Sequence, residues 1–225
     1  MRMRRSVCLA DHFLRAQALT TTPAGIFGWT VKDTSPAGTP TYLVVSGAGM
    51  NLTLAASSEE EIVTMYQNDV LNFVLGRIQK VRFWASVSGV DAVTSIVMGL
   101  ASAQNDTEDS VTYNAWFKID GTVSTSNVVC ESDDNVNDKD DKATGVTLGS
   151  TVKEFTIDFT NGLADVHFYI DGQRVANNVT FDMSNVSSTQ KVQLFFQLHK
   201  ASGTGVPALK IYYVDIEYVN EQGAA

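Results

Sequence analysis

The feature that most constrains this chain is a two-residue periodicity punctuated by glycine turns. Over residues 152–159, Val152, Phe155, Ile157 and Phe159 carry the apolar pattern while Lys153, Thr156 and Asp158 interleave, as in a strand with one face buried. Asn161-Gly162 then predicts a tight hairpin turn, because both residue types tolerate the positive φ that short turns need. The predicted return strand sets Val166, Phe168 and Ile170 on one face and Asp165, His167 and Tyr169 on the other, and Asp171-Gly172 makes the next turn. The same period recurs in Val81/Phe83/Ala85/Val87, in Val111/Tyr113/Ala115/Phe117/Ile119 and in Val192/Leu194/Phe196/Leu198. Residues 209–219 begin apolar on both faces (Ile211, Tyr212, Tyr213, Val214, Ile216), which predicts a central strand covered on both sides. Val occurs 27 times and Thr 22 times against 4 Pro, so composition leans the same way. Many short strands at close spacing predict an all-β fold, an antiparallel β-sandwich or jelly roll. Helical signals occur only in residues 57–67, where Ser58-Glu59-Glu60-Glu61 resembles a capping box ahead of Ile62, Val63 and Met65.

No linker divides the 225 residues. The expected layout is an N-terminal extension over 1–28, a single sandwich over 29–220 and a tail at 221–225. A net charge of −9 argues against a general nucleic-acid binder, since phosphate affinity comes from clustered Lys and Arg. Arg2, Arg4 and Arg5 are the exception, and such a cationic segment suits an acidic partner. The apolar run Val7-Cys8-Leu9-Ala10 is broken by Asp11-His12 and is too short for a signal-peptide core. No apolar run approaches membrane-spanning length, so no membrane partner is expected. Cys8 and Cys130 fall outside any metal-ligand spacing and cannot form a disulfide framework. The sequons at Asn51, Asn105, Asn178 and Asn185 are read as chance in an Asn- and Thr-rich chain.

Catalytic signals are weak. Two carboxylates at i and i+2 on a central strand would suit glycoside hydrolysis, but the segments around Ser95–Leu100 and Thr112–Phe117 carry no acids. Asp215 and Glu217 have the spacing but lie in the closing strand. His12, His167 and His199 are far apart and precede no nucleophile elbow, and Gly47-Ala48-Gly49 reads as a turn rather than a phosphate cradle. No cofactor is expected. Residues 131–142 read as a long acidic loop in which Asp133, Asp134, Asp138, Asp140 and Asp141 are candidate calcium ligands, although the glycine of an EF-hand-like loop is missing and Lys139 and Lys142 offset the charge. A second polar loop, residues 104–109, would make a ligand site with the first if the two met at one end of the sandwich.

The runs Lys153-Glu154-Phe155-Thr156-Ile157-Asp158-Phe159 and Val166-His167-Phe168-Tyr169-Ile170-Asp171-Gly172-Gln173-Arg174-Val175 resemble those of the concanavalin A-like superfamily, which includes laminarinase-like hydrolases and laminin-G-like modules. The closing Tyr213-Val214-Asp215-Ile216-Glu217-Tyr218-Val219 and the early Asp11-His12-Phe13 with Gly28-Trp29 are similar to the end and the opening of that group. The E-x-D-x-E strand of its hydrolases is not found, so the resemblance implies the jelly roll without the activity. Residues 80–219, with Val93–Leu100, Asp109–Asp120, the acidic segment and Ala143–Leu148 in order, are similar to concanavalin A-like structural proteins of tailed bacteriophages. That likeness implies a non-enzymatic capsid decoration or cement protein on the exterior of the virion, made in the host cytoplasm. It would partner the major capsid protein and itself, as a homotrimer, with Arg2, Arg4 and Arg5 as capsid contacts. The rival expectation is a carbohydrate-binding module, or a tail-fibre or spike component, with Trp84, Trp116 and Tyr169 as a stacking platform for host glycans.

Overall fold

The computed structural model describes residues 5–13, 17–19, 27–187 and 189–220, of which Arg5, Gln17, Ala18 and Asn220 are described in backbone only. The strands, in chain order, are β1 (Arg5–Asp11), β2 (Gln17–Ala18), β3 (Thr30–Asp33), β4 (Thr41–Val45), β5 (Gly49–Thr53) and β6 (Glu61–Tyr66). There follow β7 (Phe73–Val74), β8 (Ile78–Ser88), β9 (Thr94–Ala101), β10 (Asn114–Asp120), β11 (Asn127–Asp133) and β12 (Asp138–Thr147). The last five are β13 (Lys153–Asp158), β14 (His167–Ile170), β15 (Gln173–Val175), β16 (Lys191–Lys200) and β17 (Ala208–Asn220). Sheet 1 has the order β15-β14-β13-β8-β17-β5-β4-β2, and β1 also pairs with β17; sheet 2 has the order β12-β11-β10-β9-β16-β6-β3, with β7 on β16. All pairings are antiparallel, as the period-2 reading requires.

The alternating residues face each other across the sandwich. Val81, Phe83, Ala85 and Val87 of β8 and Phe155 and Ile157 of β13 meet Ala115, Phe117 and Ile119 of β10 and Leu194, Phe196 and Leu198 of β16 in one core. Its centre is aromatic: Phe117 lies 4.9 Å from Phe155, 5.2 Å from Phe168 and 6.0 Å from Phe83 between ring centroids. Asp171 and Gly172 both take positive φ (50° and 74°) and join Ile170 to Gln173 in the two-residue turn their sequence predicts.

Four expectations change. Asn161-Gly162 does not close a two-residue hairpin, because Phe159 leaves β13 to donate its N–H to Gln79 O and the chain rejoins only at β14. Residues 61–66 are a strand: Glu61, at the third glutamate of the apparent capping box, is fully buried opposite Lys200 instead of capping a helix. Residues 131–142 are a hairpin of β11 and β12, not a loop. The described residues of the N-terminal extension join the sandwich, since β1 continues the row of β5 along β17 and Phe13, Leu19 and Phe27 are buried in the core. Strand β17 is central in its sheet as expected, but among the described residues no layer covers its outer side, where Tyr212 and Tyr213 are half-buried.

Candidate functional site

Each sheet has an outer face, and the two differ. On sheet 2 the outward residues of neighbouring strands are Gln193, Phe195 and Gln197 of β16, Val97, Gly99 and Ala101 of β9, Asn114, Trp116 and Lys118 of β10, and Glu131 and Asp133 of β11. The chain's own segment 102–113 lies over them. Val111 joins Trp116, Phe195, Tyr66, Val97 and Ala101 in a second, smaller apolar cluster. Gln197 Nε2 donates to Asn105 O (3.0 Å), Gln193 Nε2 donates to Ser102 O (2.8 Å), and Lys32 Nζ reaches Asp106 at 3.0 Å. Trp116 is therefore wholly buried, 26° from parallel with the Phe195 ring. Gly99 makes room for it, for a Cβ there would stand 2.8 Å from Trp116 Cβ.

The two polar segments do meet, across Lys118. Its ammonium lies 3.4 Å from Asp109, 3.7 Å from Glu131 and 3.8 Å from both Glu108 and Asp141. Burial works against the Lys118 cation, but the surrounding carboxylates outweigh it and hold its pKa above the ordinary lysine value. Burial pushes the Glu131 carboxyl up to about 8, against the pull of Lys118. Ser95 Oγ donates to Glu108, whose other oxygen lies 4.0 Å from His199 Nδ1. Glu131 and Asp133 are an acid pair at i and i+2 on one face of β11, missed in the sequence because this stretch read as loop. Glu131 is 2% exposed beneath that lid of side chains, which leaves it no access to a substrate.

The calcium candidates do not converge. Asp134 accepts backbone N–H donors from Val136, Asn137 and Asn185, and these bonds overcome its burial and lower its pKa. It closes the hairpin turn. Among the described residues no group of three or more His, Cys, Asp or Glu is placed to hold a metal ion. Cys8 is exposed and Cys130 buried, both free.

The Glu131 carboxyl makes a prediction. Its folded pKa of about 8 lies above the ordinary 4.5, so the folded chain holds this proton more tightly than the unfolded chain. The stabilisation is complete below the unfolded value and is lost as the pH rises through about 8. Glu131→Gln, which keeps the neutral form, should flatten this decline: the thermal midpoint of the wild type should fall relative to the variant between about pH 5 and 8. Parallel pH profiles for the two proteins would show that Glu131 is ionised throughout.

Among the described residues, sheet 1 presents the more open face. Its outward side carries a row Glu154–Trp84–Tyr213, extended by His12, with ring centroids 5.1 Å apart for Trp84 and Tyr213 and 4.7 Å apart for Tyr213 and His12. Trp84 is 43% exposed, and its Nε1 donates to Glu154 Oε2 at 3.0 Å. Val152, Leu43 and Val45 are also exposed on this side, with Gly49 between Val45 and the Tyr212 backbone. The next rows are ionic: Arg82 Nε donates to both oxygens of Asp215 (3.1 Å each), and Lys80 pairs with Asp158 at 3.2 Å. Burial and the neighbouring Asp215 hold the Tyr213 phenol above its ordinary pKa. Asp215 thus serves this ionic layer, and Glu217 stands opposite Lys80 in the register of β17 and β8. Of the expected platform, Trp84 and Tyr169 share this face, Tyr169 lying beyond β13 opposite Thr156 and Arg174, whereas Trp116 is on the other sheet. Arg2 and Arg4 lie outside the described residues, and Arg5 opens β1.

No family model and no curated protein matches the sequence. Solved structures do match in shape. An endo-acting O-glycanase of the human gut microbiota superposes with a TM-score of 0.60 at 9% identity, over 94% of this chain and 99% of that one. The carbohydrate recognition domain of Emp47p gives 0.56 at 9% identity, over 93% and 96%. The carbohydrate esterase vb_24B_21 from Shiga toxin-encoding bacteriophage phi24B gives 0.50 at 16% identity, over 94% and 100%. The fold is an antiparallel β-sandwich of the jelly-roll kind. At these identities the likeness is one of fold, and it carries neither catalysis nor ligand to this chain.

Proposed function

We propose that this protein is a non-enzymatic structural component of a virion, a decoration protein that docks on the outer surface of a phage head and bridges its capsomers. The observation that carries the reading is the contrast between the faces. The centre of the sheet 2 face is covered by residues 102–113, whereas sheet 1 exposes Trp84, Val152, Leu43 and Val45 among the described residues. Exposed apolar surface concentrated on one face marks a contact with another macromolecule. The resemblance of residues 80–219 to phage structural proteins supports the major capsid protein as the partner and a homotrimer as the working unit.

Co-sedimentation with undecorated heads built from the accompanying major capsid protein tests the assignment. Wild type should pellet with the heads and raise their melting temperature. Trp84→Glu should bind at least about 10-fold more weakly while melting like wild type, because a charge at the centre of an apolar contact is left unpaired. Equal binding by both proteins would remove sheet 1 as the docking face, and no binding by wild type would remove the decoration role.

The row His12–Tyr213–Trp84 beside the Glu154 carboxylate favours a second reading, a lectin-like module that stacks sugar rings on sheet 1. A glycan array separates the two: a specific hit lost in Trp84→Ala supports the module, and a blank array supports the structural role.

A further inference from the structure

Strand β1 has one open edge. It runs along the second half of β17 in seven consecutive pairs, from Arg5 opposite Asn220 to Asp11 opposite Val214, with no shift of register. Among the described residues no strand pairs with its other edge. The exposure of its side chains agrees. Successive residues of a strand point to opposite sides of the sheet, yet Ser6, Val7 and Cys8 are all exposed. Val7 shares the core side with Leu9, which packs against the core, and is still 41% exposed. An outermost strand gives that pattern.

The other strands that end a sheet are protected. β2, β15 and β3 are two, three and four residues long, too short to template much pairing. β12 has ten residues but carries Asp138, Lys139, Asp140, Asp141 and Lys142. It also departs from regular pairing: Asp141 and Gly145 take positive φ (48° and 73°), and its register against β11 shifts twice. β1 has none of these devices. Between Arg5 and Asp11 it reads Ser-Val-Cys-Leu-Ala, without charge, proline or glycine. A regular, uncharged edge of this length is a template for another strand.

The strand is its own complement. When two β1 strands pair antiparallel, a single register pairs all seven residues, and its two-fold axis passes through the middle residue, Cys8. In that register Val7 meets Leu9 of the second copy, and the small Ser6 meets Ala10. Arg5 and Asp11, opposite in charge in the sequence, take facing positions at the two ends, and no pair sets like charges against each other.

We infer that two copies of this chain pair antiparallel through β1, about a two-fold axis at Cys8, and so extend sheet 1 into one sheet that runs through both chains. The contact uses the strand edge rather than the face assigned to the capsid. It joins two copies through the same surface on each, so it is also distinct from the three-fold unit proposed on the head. Either assignment can fail without the other.

Sedimentation velocity of the full chain, with reductant present, should give the mass of two copies. Val7→Lys sets a charge against Leu9 in the shared edge. It should raise the dissociation constant by at least about 10-fold while melting like wild type, since Val7 is 41% exposed within one chain. Cys8 reports the register. Residues directly opposite in an antiparallel pair have Cα atoms about 4.5–5.5 Å apart, within the span of a disulfide, and Cys130 is buried. Brief oxidation by copper phenanthroline should therefore give a covalent dimer in wild type, much less in Val7→Lys and none in Cys8→Ser. Cys8→Ser should still sediment as two copies, because the backbone makes the contact. A monomeric or three-copy wild type, a Val7→Lys chain that stays paired, or a paired wild type that does not cross-link through Cys8 would each overturn the inference. Head co-sedimentation of Val7→Lys reads the capsid contact separately.

Discussion

Replacing Lys200 with methionine is expected to lower the unfolding free energy by about 3–5 kcal/mol, read as a shift of the urea midpoint at neutral pH. The Lys200 and Glu61 side chains are both 0% exposed and their charges are 3.0 Å apart. Lys200 Nζ also donates to Ala55 O (2.6 Å), Ser57 O (3.0 Å) and Gly205 O (3.1 Å). Glu61 accepts from Ala55 N and Ser57 Oγ, both at 2.9 Å. The pair therefore staples the segments before β6 and after β16 to the sheet edge, and Gly38 packs against Glu61 where a Cβ would collide. Without Lys200 the carboxylate is left buried with no counter-charge, which is the expensive state. Removing both, as Lys200→Met with Glu61→Met, should recover a large part of the loss, because the desolvation of two charges disappears with their attraction. A single-variant cost below about 1 kcal/mol would mean that water reaches the site and screens the charge.

Truncating Phe117 to alanine should cost about 3–5 kcal/mol, through lost burial and the cavity left behind. Phe117 is 0% exposed and meets Phe83, Phe155 and Phe168, so its ring ties β10 of sheet 2 to β8, β13 and β14 of sheet 1. The neighbours belong to different strands of a rigid sandwich and cannot collapse far into the void. Thermal and urea unfolding of Phe117→Ala beside Trp84→Ala make the contrast direct, since the outward tryptophan should change stability little. Equal effects from the two would show that the outer face of sheet 1 is covered in the folded protein.

Much of the fold was legible because a strand's side-chain period is two, and local order alone announces it. The inward rows of β8, β13, β14 and β16, and the Asp171-Gly172 turn, follow from neighbouring residues and the φ they tolerate. Face is not the same as exposure, however. Trp116 lies opposite the core-facing alternation of β10, as its spacing says, yet it is buried because residues 102–113 fold back over that side. Nothing in the local pattern distinguishes a face that meets water from one that meets another part of the chain.

The acidic residues show the same division. In sequence Ser58-Glu59-Glu60-Glu61 reads as a helix start and residues 131–142 as a solvated loop, because charge suggests solvent when no partner is in view. Glu61 is in a strand since Lys200 stands across from it on β16, and Glu131 is in a strand since Trp116 and Lys118 flank it on β10. Local alternation and turn chemistry determined by themselves that this chain is an antiparallel β-sandwich. Which polar groups are buried, which aromatic is free to touch a partner and which acids gather into one surface were decided only by tertiary structure, because those properties belong to pairs of segments that only the folded sheets bring together.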